Sequence, residues 1–179
     1  MAIVFELVIN YGHDHAAAQD ASRLVAIHPP LTAGPHHVRL HQPLTRTVRD
    51  AAGEPYLELS IVPAQVGFGV GLDGSQPRLA LTAKELSKLG SGLYSLLATF
   101  TGYRAARVGW DPETFIDPVE LQQEWAEELA AGALPGLVLA EDLQLHTSMR
   151  GFVPFADGFV WIPYEAERPS SFTTDTGGL

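Results

Sequence analysis

Short apolar runs and alternating apolar and polar positions predict β-strands along much of the chain. Residues 1–9 are apolar except for Glu6, and this apolar run predicts a buried strand. Alternation predicts a second strand over residues 56–62, and a turn at 73–76 predicts a hairpin that pairs residues 65–72 with 78–81. Further short strands are expected at 36–42, 103–110, 138–140 and 159–162.

Helical spacing predicts three helices between these strands. The strongest signal is the T-x-x-E capping box of Thr82 and Glu85, because leucines follow it at steps of three and four up to Phe100. A helix over residues 15–27 has Asp14 as its N-cap, and a third runs from the cap Asp117 to near Gly132.

The mixture of elements, without strict alternation, favours an α+β fold. We expect a single domain over residues 1–167, in which a mainly antiparallel (mixed) sheet carries about three helices on one face. Residues 168–179 are rich in Ser, Thr and Gly, and this composition predicts a disordered tail.

Negative charge dominates the composition and is concentrated near the C-terminus. Lys and Arg number 11 and Asp and Glu number 21, which gives a formal net charge of −10. This balance argues against nucleic-acid binding, which requires a basic face to neutralise phosphates. Residues 111–179 contain thirteen of the acidic residues and two of the basic ones.

Other features of composition bear on location. There is no cysteine, which fits a reducing compartment, and no apolar stretch approaches the roughly 18 residues of a membrane span. The first residues lack the basic region of a signal peptide. We therefore expect a cytoplasmic protein without a membrane segment, and the preference for Arg over Lys together with abundant Ala suggests a bacterial source.

The third helix carries an acidic face that no basic residue relieves. At 100° per residue, five carboxylates share a stripe about 100° wide. Repulsion between acids one turn apart is unfavourable by roughly 0.2–0.5 kcal/mol per pair, and no Lys or Arg lies within the helix. Such a face predicts docking of a basic partner, although a surface kept acidic for solubility explains it as well. The predicted partner-binding residues are Asp117, Glu120, Glu124, Glu127 and Glu128, with Asp111 and Glu113 just before the helix.

Histidines near the N-terminus provide an alternative. Imidazole and carboxylate groups suit a first-row transition metal, but these residues lack the spacing of a metal motif such as H-E-x-x-H, and Arg39 lies among them. The candidate ligands are His13, Asp14, His15, His37 and His41.

The absence of any specific catalytic motif decides between these hypotheses. We expect a non-catalytic protein-binding module without a cofactor, of the inhibitor or immunity type, which docks a basic protein through the acidic helix. The alternative is a metal-dependent enzyme that uses the N-terminal histidines. A third hypothesis, a small-molecule site lined by Trp110, Phe152 and Trp161, is neither supported nor opposed by the sequence.

Overall fold

A seven-stranded antiparallel sheet forms the centre of the protein in the computed structural model, which describes residues 1–175. The order of its strands is β4-β5-β1-β6-β7-β9-β8, and β2 and β3 form a separate pair. The strands are β1 (Phe5–Asn10), β2 (Leu31–Ala33), β3 (His36–Val38), β4 (Leu44–Arg49), β5 (Pro55–Ile61), β6 (Ala105–Trp110), β7 (Val138–Ala140), β8 (Val153–Ala156) and β9 (Phe159–Trp161).

Four α-helices and two short 3₁₀ helices accompany the strands. The α-helices are α1 (His15–Ala26), α2 (Ala83–Leu97), α3 (Pro118–Glu124) and α4 (Ala126–Ala131), and the 3₁₀ helices are Gly71–Asp73 and Pro112–Phe115. The predicted α+β class and the mainly antiparallel sheet are confirmed. None of the helices in residues 1–175 combines the length and the apolar character needed to cross a membrane.

Alternation along the central strands divides the core into two layers. On β1, Phe5, Leu7 and Ile9 point into the layer formed with α1 and α2. Val8, on the opposite side of the same strand, packs in the second layer with residues of α3 and α4. Helices therefore cover both faces of the sheet, whereas the sequence pattern predicted them on one.

Helix α2 forms as its sequence predicts. The hydroxyl of Thr82 accepts a hydrogen bond from the amide of Glu85 at 3.2 Å, and the Glu85 carboxylate accepts one from the amide of Thr82 at 2.8 Å. This capping box satisfies two amides that have no partner inside the helix. Leu86, Leu89 and Leu93 are buried, so the leucine stripe faces the core.

The predicted acidic helix is two short helices, so the expectation of one continuous stripe is wrong. The chain leaves the helical conformation at Trp125, where φ is −122° and ψ is 23°. The Trp125 ring packs on Phe115 with the ring centroids 4.9 Å apart. The helical angle of 100° per residue therefore does not relate the position of Glu124 to those of Glu127 and Glu128.

The predicted hairpin of residues 65–72 and 78–81 is also wrong. No ladder joins these segments in the described structure, where Gln65 has a positive φ of 67° and Gly71–Asp73 is a 3₁₀ helix. The Asp73 carboxylate accepts the Gln65 amide at 2.8 Å. The two segments still share one backbone hydrogen bond, from the Leu79 amide to the carbonyl oxygen of Gln65 at 2.7 Å, but they do not continue it into a strand ladder.

The beginning of the expected disordered tail is packed against the rest of the protein. Phe172 contacts Trp110 and Phe68, with ring centroids 4.8 Å and 5.6 Å apart, and Thr173 is buried. The Asp175 carboxylate accepts the Ala83 amide at 2.8 Å, at the start of α2. Residues 168–175 thus differ from the expectation, and residues 176–179 lie outside the described part.

Candidate functional site

A carboxylate at the centre of the sheet is the first component of the candidate site. Glu6 lies in the middle of β1, opposite Gly109 of β6, and only 9% of the residue is exposed. Its neighbours Phe5 and Leu7 point into the α1 and α2 layer, so Glu6 faces the other side. The fold therefore buries an acid in a strand whose other positions are almost all apolar.

Two more carboxylates follow the end of β6. Asp111 has a left-handed backbone (φ 44°, ψ 58°), and Glu113 lies in the 3₁₀ helix that follows. Because β6 pairs with β1, these two residues meet Glu6. Carboxylate oxygens of Glu6, Asp111 and Glu113 all lie within 4.8 Å of one another.

These three acids line a pocket of about 380 Å³. Its other polar contributors are Arg46 and Ser60, and its apolar walls come from Val4, Leu44, Val62, Val70 and Leu72. Oε2 of Glu113 is fully buried and accepts no hydrogen bond from any group in residues 1–175. A buried acceptor without a partner is costly, so the pocket is suited to a ligand that donates hydrogen bonds.

Burial changes the proton affinity of the acid at the base of the pocket. Removal from water raises the pKa of Glu6 to about 7, and the negative charges of Glu113 and Glu58 act in the same direction. A hydrogen bond with Ser60 and the positive charge of Arg46 oppose the rise. Glu6 therefore exchanges its proton near neutral pH, and a cation in the pocket would favour its charged form.

Arg46 is already engaged with a fourth acid. Arg46 on β4 lies opposite Glu58 on β5, and its Nε donates to Glu58 Oε1. Glu58 is almost completely buried, and this burial raises its pKa although the bond to Arg46 opposes the rise. The arginine therefore compensates Glu58, and it does not pair with the three acids of the pocket within ion-pair distance in the described structure.

The acids of α3 and α4 remain without basic partners. Glu124 and Glu127 are exposed, and Glu120 and Glu128 are half-buried. None of the four is within 4.0 Å of a basic group in residues 1–175. Burial, followed by the charges of Asp117 and Glu124, raises the pKa of Glu120. Like charges thus affect one another within α3, on the N-terminal side of the break at Trp125.

Asp117 differs from the other predicted docking residues because its carboxylate is used inside the protein. The residue is buried, and its Oδ1 accepts the Val119 amide at 2.9 Å. Its Oδ2 accepts the amide of Ala51, in the turn between β4 and β5, at 2.8 Å. Asp117 therefore caps α3 and joins it to the sheet, and we leave it out of the partner-binding surface.

The structure distributes the histidine candidates over separate places. His13 and His15 line a small pocket of about 200 Å³ beside Tyr56, while Asp14 caps α1 by accepting the Ala17 amide. His37 is exposed on β3, and His41 hydrogen-bonds to Asp73. Within residues 1–175 the histidines form no cluster of three ligand atoms within 4.8 Å, a condition that the acids of the pocket meet.

Two components of the site were anticipated and one was missed. Asp111 and Glu113 were predicted as partner-binding residues, whereas Glu6 was noted only as an interruption of an apolar run. The signal was present, because an acid inside a strand that is otherwise buried is rarely tolerated without a specific role.

Of the three aromatic residues considered for a small-molecule site, Trp110 packs on Phe5 and Phe172, with ring centroids 5.2 Å and 4.8 Å apart. Phe152 packs in the α3 and α4 layer, and Trp161 packs against the α1 and α2 layer.

Comparison of the chain with protein-family models, with curated proteins and with solved structures found no match in any of the three.

Proposed function

We propose that this protein is a protein-binding module that docks a basic partner through one acidic surface. The acidic surface consists of the pocket acids Glu6, Asp111 and Glu113 and the helix acids Glu120, Glu124, Glu127 and Glu128. An Lys or Arg side chain of the partner enters the pocket, and the helix acids attract the partner's other basic groups. A cytoplasmic inhibitor or immunity-type protein of bacterial origin is the kind of molecule that this proposal describes.

The observation that carries the proposal is the convergence of three carboxylates around an unpartnered oxygen. Oε2 of Glu113 is buried and has no donor among residues 1–175, and Arg46, the one basic side chain that lines the pocket, is bonded to Glu58. A guanidinium or ammonium group supplies both the donors and the charge, and such charge-assisted bonds are among the stronger ones in proteins. The apolar walls suit the methylene groups of a long basic side chain.

The helix acids extend the same electrostatic field toward α3. Burial is the main cause of the raised pKa of Tyr56 on β5, and the charges of Glu58, Asp117 and Glu120 add to it. Acidic groups spread over an interface increase the association rate of a basic partner more than they increase its final affinity. We therefore assign steering to Glu124 and Glu127 and anchoring to the pocket.

A divalent cation is the competing occupant, because carboxylates also bind Ca²⁺ and Mg²⁺. The apolar walls favour a side chain, since a metal site has no need of apolar contact around its ligands. The competition is tested directly by adding Ca²⁺ or Mg²⁺ to the binding experiment described next.

The test uses two synthetic peptides that differ in one side chain, with arginine at the centre of one and its uncharged, nearly isosteric analogue citrulline at the centre of the other. We expect the arginine peptide to shift the NMR signals of Glu6, Gly109 and Asp111 in a saturable way, and to bind roughly tenfold or more tightly than the citrulline peptide. The double variant D111N/E113Q should lose this preference. Glu141→Gln, which removes an exposed acid outside the pocket, is the matched control and should retain it.

Two outcomes would overturn the proposal that the pocket binds a basic side chain. One is equal affinity for both peptides, and the other is binding of millimolar Ca²⁺ or Mg²⁺ that the arginine peptide cannot displace. For the steering acids, Glu124→Lys and Glu127→Lys should slow association with an arginine-rich peptide and flatten its dependence on salt. Unchanged association rates would show that the helix acids take no part.

A further inference from the structure

A second cavity, unrelated to the acidic surface, lies between the end of α1 and the segment that leads into β4. Its volume is about 610 Å³. The polar groups that line it include His28, Arg39 and His41, with the hydroxyls of Ser22 and Thr45. None of the described residues that line it is acidic, although acids outnumber bases by 21 to 11 in the chain. We call this cavity the histidine pocket.

His41 is held in a fixed orientation by a buried carboxylate. Its Nε2 lies 2.7 Å from Oδ1 of Asp73, and the two side chains are 19% and 10% exposed. The same carboxylate oxygen accepts the amide of Gln65 at 2.8 Å. An ionised carboxylate only accepts hydrogen bonds, so Nε2 of His41 carries the proton. Its Nδ1 has no bond to Asp73 and is left for a ligand.

His28 is fixed in a comparable way by a backbone carbonyl. Its Nδ1 lies 2.7 Å from the carbonyl oxygen of Pro29. A carbonyl oxygen also only accepts, so Nδ1 of His28 carries the proton and Nε2 remains. Each histidine thus has one ring nitrogen committed to a protein acceptor and one that is not.

We propose that the histidine pocket binds the phosphate group of a phosphate monoester, with Arg39, His28 and His41 as its donors. A phosphate group has three terminal oxygens, and the pocket offers three basic side chains and the hydroxyl of Thr45 from separate segments, whereas the hydroxyl of Ser22 donates to the carbonyl oxygen of Ala18 at 3.0 Å. The lack of acids in the lining removes the repulsion that an anion would meet elsewhere on this protein.

Binding of an anion has a consequence for the two imidazoles. When neutral, each remaining nitrogen carries a lone pair and repels a phosphate oxygen, so each ring must take up a second proton before it donates. The committed nitrogens then keep their acceptors, Asp73 and the Pro29 carbonyl. The charged or titratable groups around His41 are Asp73, at hydrogen-bond distance, and Arg39 and His28, which line the same cavity. Asp73 is accordingly a positioning residue.

The test is calorimetric titration of the full chain with inorganic phosphate and with phenyl phosphate, in buffers of different ionisation enthalpy at one pH near 7.5. We expect saturable binding of phenyl phosphate at one site, accompanied by proton uptake, which appears as a heat that varies with the buffer. Tighter binding of phenyl phosphate than of inorganic phosphate identifies a monoester as the ligand. The reverse order overturns that part of the proposal and leaves a site for the free ion.

Variants separate the pocket from general attraction of an anion. Arg39→Gln and His41→Gln should each weaken binding roughly tenfold or more, and His41→Gln should also reduce the proton uptake. The matched controls are Arg49→Gln and His37→Gln, which alter an arginine and a histidine outside the cavity and should bind as the unaltered protein does. If His41→Gln unfolds, His28→Gln tests the same donor set.

Two results would overturn the proposal. The first is the absence of binding at 10 mM phenyl phosphate by a protein that is folded, where roughly millimolar affinity is the weakest that a built site of this kind should show. The second is binding without proton uptake that neither histidine variant weakens. Neither result bears on the acidic surface, because the histidine pocket shares no residue with it.

Discussion

Asp111 and Val4 hydrogen-bond to each other twice. The amide of Val4 donates to Oδ1 of Asp111 at 2.9 Å, and the amide of Asp111 donates to the carbonyl oxygen of Val4 at 2.9 Å. This double link joins the end of β6 to the chain just before β1 and holds the left-handed backbone of Asp111, a conformation that costs a non-glycine residue about 1 kcal/mol. The same carboxylate therefore has a structural bond and a place among the pocket acids.

Substitution of Asp111 should separate these two roles. Asn retains an oxygen for the Val4 amide and tolerates the left-handed conformation, so the free energy of unfolding of Asp111→Asn should stay within about 1 kcal/mol of the unaltered protein. Asp111→Ala loses both advantages and should be less stable by roughly 1–2 kcal/mol. Urea unfolding measures the difference. Equal stability of the two variants would show that the bond to Val4 contributes nothing.

Glu6 should make stability depend on pH near neutrality. Its pKa is raised from 4.5 to about 7 in the folded protein, so the folded state binds more protons than the unfolded state between these values. The associated stability is fully present below the unfolded pKa and is lost as the pH rises through 7. The loss amounts to roughly 3 kcal/mol, since one pKa unit corresponds to about 1.4 kcal/mol.

Glu6→Gln removes this titration and should flatten the profile of unfolding free energy between about pH 5 and about pH 8. Some decline should remain, because burial also raises the pKa values of Glu58 and Glu167. Glu124→Gln changes an exposed acid and should follow the unaltered protein. A Glu6→Gln profile as steep as that of the unaltered protein would contradict the buried position of this acid.

The parts of the fold that the sequence predicted well are those with local signals. The capping box of Thr82 and Glu85 and the leucines behind it define α2 within a few residues, because hydrogen bonds and packing positions are all set by neighbours along the chain. The strand predicted over residues 103–110 is observed as Ala105–Trp110. The failures lie where single side-chain contacts, which no periodic pattern reveals, hold the chain in another conformation. Asp73 binds the Gln65 amide where a strand was expected, and Trp125 packs on Phe115 at the break in the acidic helix.

The candidate site depends on strand order, which periodicity does not reveal. Val4 and Asp111 are 107 residues apart in the sequence and become neighbours because β6 pairs with β1. Asp111 and Glu113 were recognisable as acids after a strand, but their meeting with Glu6 required the register Glu6↔Gly109. The opposite holds for Asp117, which shared the helix pattern of the docking acids and whose bond to Ala51 no local pattern indicates.

Asp117 should therefore matter for stability rather than for binding. Asp117→Ala removes the cap of α3 and the link to the Ala51 amide together, and we expect a loss of roughly 2–3 kcal/mol in the free energy of unfolding. Glu124→Ala, at an exposed position of the same helix, should change stability by less than about 0.5 kcal/mol. Comparable losses in the two variants, measured by urea unfolding, would contradict the assignment of Asp117 to the interior.

Phe172 should anchor the C-terminal segment to the body of the protein. Its ring lies against Trp110 and Phe68, and the amide of Thr174 donates to the carbonyl oxygen of Leu81 at 2.9 Å. Phe172→Ala removes aromatic contact from a half-buried ring, which should lower the free energy of unfolding by roughly 2 kcal/mol. It should also expose Trp110 and speed hydrogen exchange at the Ala83 and Thr174 amides. Ser171→Ala, at an exposed neighbouring position, is the control and should leave stability and exchange unchanged. If Phe172→Ala behaves like this control, the segment is not anchored and the expectation of a disordered tail would stand for these residues too.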